Sequence, residues 1–268
     1  MEKPILSIRN ISKSFFNRTS GNNYVLKNLN LDIPGGQVTA LIGGNGSGKT
    51  TLFNIISRLI EPDNTDKDTV ILFDGTDLLK LKPYALASLG IGRLFQDAHI
   101  FPELSIIENM CVAHNELFGE SPAQAVLFYG KTKHVENQRQ EQALEILTDM
   151  FGADSIFVNR SGMKAGNLSY GQQRLLGLAR LFMGDYRLLL LDEPTAGVNV
   201  KLNKKIADII QRFKQQGKTV FLIEHNMAFV KKTADYVAFL DEQHIFAQGK
   251  PEDILNDPVI QQHYLGIL

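Results

Sequence analysis

The sequence predicts an α/β fold with an antiparallel β edge and an inserted helical lobe, and three observations carry that prediction. QVTALIGG (37–44) is a nearly continuous apolar run that feeds a glycine-rich turn and then the helical pattern KTTLFNIISRLI, the strand, loop, helix order of a nucleotide fold. RLLLLD (187–192) and KTVFLIE (218–224) repeat the theme, each a short dry run with its polar residue at the carboxyl end. Between the first run and the other two, residues 97–180 are dominated by helical patterns, which marks a lobe inserted into a sheet-based core.

The elements follow in chain order. ILSIRNISKSF (5–15) and YVLKNLNLDI (24–33) alternate apolar and polar residues, as strands exposed on one face do, and the polar loop NRTSGNN separates them, so they predict an antiparallel edge. After the glycine-rich unit, IGRLF predicts a strand that ends beside Gln96. SIIENMCVAHNELF (105–118) and HVENQRQEQALEILTDMF (134–151) predict helices joined by the less regular GESPAQAVLFYGKTK, and NLSYGQQR (167–174) opens an apolar helix. KLNKKIADIIQRFKQQ places Leu202, Ile206, Ile209, Ile210 and Phe213 on one helical face and stops at Gly217. YVAFLDEQHIFAQG predicts a hairpin, and PEDILNDPVIQQHYLGIL a short helical tail. The chain therefore divides into a core first part (1–96), a helical subdomain (97–180), a core second part (181–249) and a C-terminal tail (250–268). No repeat or low-complexity tract interrupts this order.

Composition bounds what the chain does. Its 268 residues, 44% hydrophobic, suffice for one sizeable core. With 28 basic and 29 acidic residues it lacks the positive footprint of a nucleic-acid binder. Cys111 is the lone cysteine, so no internal disulfide forms, and its expected state is a buried or half-buried thiol in a reducing compartment. MEKPILSIRN lacks a signal-peptide run, and LLGLARLFMGDYRLLLL is broken by Arg180, Asp185 and Arg187, so no membrane span is expected.

Gly43 to Thr50 matches G-x-x-x-x-G-K-[ST] in its required setting between strand and helix. Gly43, Gly44, Asn45, Gly46, Ser47 and Gly48 let the backbone curl so that N–H groups converge on phosphate oxygens. Lys49 supplies a point charge for the β and γ oxygens, Thr50 offers a hydroxyl to Mg²⁺, and Thr51 continues the helix start. LLLLDEP brings Asp192, a Mg²⁺-organising carboxylate, beside that loop, and Glu193 is placed to orient or deprotonate water. Gln96, His225 and Asn199 stand at strand ends or turns where an α/β sheet binds ligand, although each alone also reads as an exposed glutamine, a satisfied histidine or a turn asparagine. NLSYGQQR is a second phosphate-gripping arrangement, with free N–H groups at a helix start and the Ser169 hydroxyl.

GGNGSGKTT, Gln96, LSYGQQ, LLLLDEP and IEH, in this order and spacing, resemble the ATP-binding subunit of an ATP-binding cassette (ABC) transporter over nearly the whole chain. The resemblance implies a P-loop nucleotide-binding domain that hydrolyses ATP with Mg²⁺. It also explains two phosphate grips in one chain, because the family's signature, here LSYGQ, closes over the γ-phosphate held by a second ATP-binding subunit in a head-to-tail dimer. It implies that Phe15, by itself more often a core residue, stacks on adenine, that Ser169, Gly171 and Gln172 act in trans, that Gln96 is a Mg²⁺-linked sensor facing transmembrane permease subunits, and that His225 is the γ-phosphate switch. Tyr170 replaces the first signature glycine.

A finer resemblance, carried by RLFQDAHIFPELSIIENM, DEPTAGVN with its Asn199, IEHNM and NDPVIQQHYLG, is to the ATPases of branched-chain amino acid uptake systems, which implies a solute-binding protein in the complex. Gly44, the stretch EPDNTDKD and Gly177 depart from that subfamily's pattern. ATPases of urea-type and lipopolysaccharide-type transporters are related. A nucleic-acid or ribosome-associated ABC ATPase is the alternative class, disfavoured by a single cassette without basic excess.

Overall fold

The structure, a computed structural model, describes residues 4–17, 21–64, 67–97, 99–113 and 129–262. The centre of the NRTSGNN loop, the whole segment from HNELF through AVLF, and the last six residues of the tail lie outside the described residues. The chain forms two compact units, residues 1–96 with 187–196 and 203–268 in the first, and 97–186 with 197–202 in the second. The α/β class with its antiparallel edge is the one the sequence predicted; residues 181–186 fall with the helical unit and not with the core.

In the first unit, β1 (Pro4–Asn17) and β2 (Gly21–Pro34) form a long antiparallel pair, joined by β4 (Val70–Phe73) and β5 (Thr76–Asp77) in the order β2-β1-β4-β5. The sequence reading missed β4, a four-residue run following the polar stretch EPDNTDKD. The larger sheet has the order β10-β9-β3-β8-β7-β6. Its parallel strands are β3 (Val38–Ile42), β6 (Ile91–Leu94), β7 (Leu188–Asp192), β8 (Thr219–Ile223) and β9 (Tyr236–Asp241), and β10 (His244–Gly249) closes it as an antiparallel hairpin. β3, β7 and β8 are buried along their whole length, which is why their sequences are continuous apolar runs without alternation. α1 (Lys49–Ile56) buries Leu52, Phe53, Ile55 and Ile56 in the core, where Phe53 meets Phe221 with ring centroids 4.9 Å apart.

The second unit is helical: α3 (Ile106–Cys111), α4 (Tyr129–Phe151), α5 (Ile156–Asn159) and α6 (Tyr170–Arg180), α2 (Ala85–Leu89) belonging to the first unit. α3 starts on a capping box of Ser105 and Glu108, and the buried Asn109 amide ties Phe101 to the helix by donating to its carbonyl and accepting from its N–H, both at 2.9 Å. Phe151 stacks on Phe157 at 4.3 Å. The chain enters this unit once more at 197–202, so that the first turn of α7 (Val200–Gln215) clusters with α6. Among the described residues no helix is long and apolar enough to cross a membrane.

Candidate functional site

Parallel pairing of β3 with β8 and of β8 with β7 brings three carboxyl ends side by side, the edge at which α/β sheets bind ligands. A cleft of about 330 Å³ opens there, lined by Val25, Asn45, Gly46, Gly48, Lys49, Thr50, Thr51, Glu193 and His225. The loop can take its shape only with glycine at two positions. Gly48 has φ +104°, and a Cβ on it would lie 2.8 Å from Leu26 Cδ2 and 2.9 Å from Val25; a Cβ on Gly43 would lie 2.2 Å from the Leu240 carbonyl oxygen.

Lys49 is 5% exposed, and its Nζ donates to the carbonyl oxygens of Gly43 and Gly44 at 2.8 Å each. Burial pulls its pKa below the ordinary 10.5, against the opposing pull of Glu193 and Asp192. Ser47 Oγ is buried and has no hydrogen-bond partner among the described residues. The first turn of α1 holds no acidic side chain, so its positive end is uncompensated. A desolvated ammonium, an unsatisfied hydroxyl and a bare helix N-terminus make a donor-rich cradle whose chemistry fits a polyphosphate.

On the other side of the cleft, Asp192 ends β7 at 1% exposure, with Oδ2 3.3 Å from Arg93 Nη2. Glu193 has a left-handed backbone, φ +46°, held by its N–H on the Ile223 carbonyl at 3.0 Å. Non-glycine residues take this conformation only where the surroundings impose it. Its two oxygens meet different partners: Oε1 lies 3.0 Å from His225 Nε2, and Oε2 accepts from Gln96 Nε2 at 3.2 Å. Lys49, Thr50, Glu193 and His225 thus line one cleft, with Gln96 bonded to Glu193 and Asp192 next to Glu193 at the end of β7.

Phe15 is not among the residues lining the cleft; it stands near the tip of β1, 47% exposed, with Lys13 Nζ 5.6 Å from its ring centroid. Ser169, Gly171 and Gln172 belong to the helical unit. There Ser169 Oγ accepts from Gln172 N–H at 3.4 Å and Gln172 Oε1 accepts from Ser169 N–H at 2.9 Å, a capping box that starts α6. Gly171 leaves room for Leu202, whose Cδ1 would be 2.4 Å from a Cβ. Tyr170 lies against Gly197 and accepts from Arg174 at 3.3 Å, and Asn199 caps α7 through Leu202 N–H at 3.0 Å.

Residues 26–196 match the sequence profile of the family described as ABC transporter. The chain belongs to the ABC transporter family. The cassette is 32% identical over 267 residues to the high-affinity branched-chain amino acid transport ATP-binding protein BraF of Pseudomonas aeruginosa, covering 99% of each chain. It is 34% identical over 262 residues to the probable branched-chain amino acid transport ATP-binding protein LivG of Archaeoglobus fulgidus, covering 98% of this chain and 95% of that one. Among solved structures it is similar to a nucleotide-free ATP-binding cassette from an ABC transporter, with TM-score 0.79 at 30% identity over 99% of this chain and 100% of that one. It is also similar to the ADP conformation of an ATP-binding cassette of an ABC transporter, with TM-score 0.78, the same identity and the same coverage. The protein is accordingly the ATP-binding and ATP-hydrolysing subunit of an ABC transporter.

Two residues of the cassette site escaped the sequence reading. Arg93 on β6 reaches under the cleft and donates to Phe53 O at 3.1 Å, Ser57 Oγ at 2.9 Å, Asn54 Oδ1 at 2.9 Å and Asp192, so it fixes the carboxylate against α1. Glu224, 2% exposed, precedes His225. One of its oxygens accepts from Thr195 N–H at 2.9 Å and Thr195 Oγ1 at 2.7 Å; the other accepts from the N–H groups of His225 at 3.1 Å and Asn226 at 3.4 Å. It thereby clamps the turn after Glu193 to the turn that carries His225. Burial pushes its carboxyl pKa up while these hydrogen bonds work in the opposite direction.

Because each Glu224 oxygen faces two donors, Glu224→Gln must point an amide N–H₂ at one of the two donor pairs, and each pair includes a backbone N–H. The expected result is a fall in kcat of about 10- to 100-fold, from misplacement of Glu193 and His225, with a loss of stability of about 1–3 kcal/mol. Thr195→Ser, which keeps every hydrogen bond, should stay near wild type. Phosphate release and urea unfolding of the two variants check this, and a Glu224→Gln protein with undiminished kcat would contradict the clamp.

Proposed function

We propose that this subunit drives the uptake of branched-chain amino acids. It would work in a pair with a second ATP-binding subunit, on the cytoplasmic face of the membrane, beneath transmembrane permease subunits to which a solute-binding protein delivers the substrate. The observation that carries this reading is full-length similarity to proteins of branched-chain amino acid transport, joined to a cleft in which cradle, carboxylate and histidine meet. A chain with no basic excess fits a partner other than nucleic acid. The exposed Phe101 and its neighbours in FPELSIIENM, just past Gln96, are the surface offered to the permease.

The loop from Gly43 to Thr51 holds the phosphates, with Lys49 on the β and γ oxygens and Phe15 against the adenine. Thr50, Asp192 and Gln96 would hold Mg²⁺. Mg²⁺ would neutralise charge on the phosphate oxygens. Glu193 accepts the proton of the attacking water, Gln96 and His225 each steady one of its oxygens, and His225 also senses the γ-phosphate. Ser169, Gly171 and Gln172 close over the γ-phosphate held by the second subunit.

Two measurements test these roles. Glu193→Gln keeps the size and one carbonyl oxygen of the side chain but cannot take the proton, so it should bind Mg·ATP while hydrolysis drops about 10²- to 10⁴-fold. The same variant should run as an ATP-dependent dimer in size-exclusion chromatography with light scattering; turnover near the wild-type rate would sink the general-base role. The second concerns Lys49. Burial depresses its pKa below 10.5, whereas bound phosphates favour the charged form, so nucleotide binding should take up protons at alkaline pH, between the depressed value and 10.5. Calorimetric titration of ADP in buffers of different ionisation enthalpy should show this uptake in the wild type and lose it in Lys49→Met. Equal proton release or none in both proteins would contradict a desolvated lysine at the phosphates.

A further inference from the structure

The stretch EPDNTDKD, which departs from the subfamily pattern, has a place in the fold that the site described so far does not use. β4 pairs with β1 only from Leu6 to Arg9. Beyond Arg9 that edge of β1 would face water, and the register with β2 is irregular there, slipping between Ile8 and Ile11, between Ile11 and Lys13, and between Lys13 and Ser14. Asp63 and Asn64 take over the edge. Asp63 N–H donates to Ser12 O at 2.8 Å, and Asn64 Oδ1 accepts from Ser12 N–H at 3.0 Å. Asp63 Oδ2 accepts from both the N–H of Ser14, at 2.5 Å, and its hydroxyl, at 2.7 Å, and Oδ1 pairs with Lys13 Nζ at 2.7 Å. One carboxylate therefore grips the two residues immediately before Phe15.

The grip extends to the ring itself. Lys13 and Phe15 are two apart, so they share a face of β1, and the anchored ammonium stands 5.6 Å from the ring centroid, within cation–π range. Phe16, 77% exposed, alternates to the opposite face. The ammonium stands over the Phe15 ring, and the side chain is still 47% exposed. At the same point of the hairpin, the slip from Lys13↔Leu26 to Ser14↔Tyr24 leaves Val25 unopposed, and Val25 lines the phosphate cleft. The segment that carries the ring is thus tied on one side to the cleft wall and on the other to Asp63.

We propose that Asp63 is a positioning residue for nucleotide binding: through Ser14 and Lys13 it fixes the tip of β1 and presents the Phe15 ring to the adenine. This rests on the reading of Phe15 as the adenine platform, and a double-mutant cycle separates the two. ADP affinity is measured by calorimetry on the full-length subunit, beside kcat at saturating ATP and thermal melting without nucleotide. Phe15→Ala should weaken ADP about 10-fold, and Asp63→Ala about 3- to 10-fold, with both variants still folded at the assay temperature and kcat at saturating ATP falling less than the affinity. The double variant should bind no more weakly than Phe15→Ala alone, because Asp63 acts only through the ring. Asp63→Asn keeps an acceptor for Ser14 but no charge for Lys13, and should fall between wild type and Asp63→Ala. Normal affinity in Asp63→Ala beside a weakened Phe15→Ala, or losses that multiply in the double variant, would overturn the positioning role and leave the platform standing. Normal affinity in Phe15→Ala would overturn the platform and the positioning role together.

Discussion

The parallel alignment of β3, β8 and β7 is the constraint on which the site depends. β8 lies between the strand that delivers the phosphate loop and the strand that delivers Asp192, so its carboxyl end meets both. Side chains alternate along a strand and its continuation, and the two residues after Ile223 are used on that basis: Glu224 turns into the protein as a clamp, His225 turns into the cleft toward Glu193. A slip of one residue in the β8 register would exchange a buried carboxylate with a cleft histidine and undo both functions. The strand cannot slip, because Thr219 through Ile223 are buried between β3 and β7 with hydrogen-bonded partners on each side.

The same alignment holds charges that water would otherwise screen. Lys49 and Asp192 are both almost fully buried, and each has a substitute for solvent: carbonyl oxygens of the loop for the ammonium, the Arg93 guanidinium for the carboxylate. Buried charge of this kind rarely adds stability, since desolvation opposes the Coulombic gain. Its value lies in preorganisation, because groups already stripped of water and aimed into the cleft need little rearrangement when phosphate arrives. The left-handed backbone of Glu193 belongs to the same account, strain held at the site by the Ile223 hydrogen bond and by the Thr195 turn that Glu224 clamps.

Much of this was legible in the sequence, for local reasons. The glycine spacing of 43–48 includes two backbone positions, 43 and 48, that a Cβ would block, and dry runs encode strands buried on both faces. What stayed hidden depends on strand order. Arg93 reads as an ordinary strand arginine until β6 is set beside β7, and Glu224 reads as a strand-end polar residue until Thr195 is folded onto it. β4 was missed because four residues are too few for a period to show, and the Asp63 grip because it joins residues about fifty positions apart across an irregular edge. The Ser169 hydroxyl was read as a phosphate ligand, and in the chain by itself it caps α6.

We propose that cradle and signature helix are halves of two ATP sites, each completed by a second ATP-binding subunit. Mixing two inactive chains tests it most directly. Lys49→Ala disables the cradle; Ser169→Glu introduces an acidic group at the start of α6, where its own helix tolerates negative charge, but sets that charge against the partner's γ-phosphate. In a mixed dimer both defects fall in one site and the other is intact, so phosphate release should reappear on mixing to a fraction that neither chain shows alone. Verified mixed dimers that remain as inactive as the two parents would contradict the shared-site account.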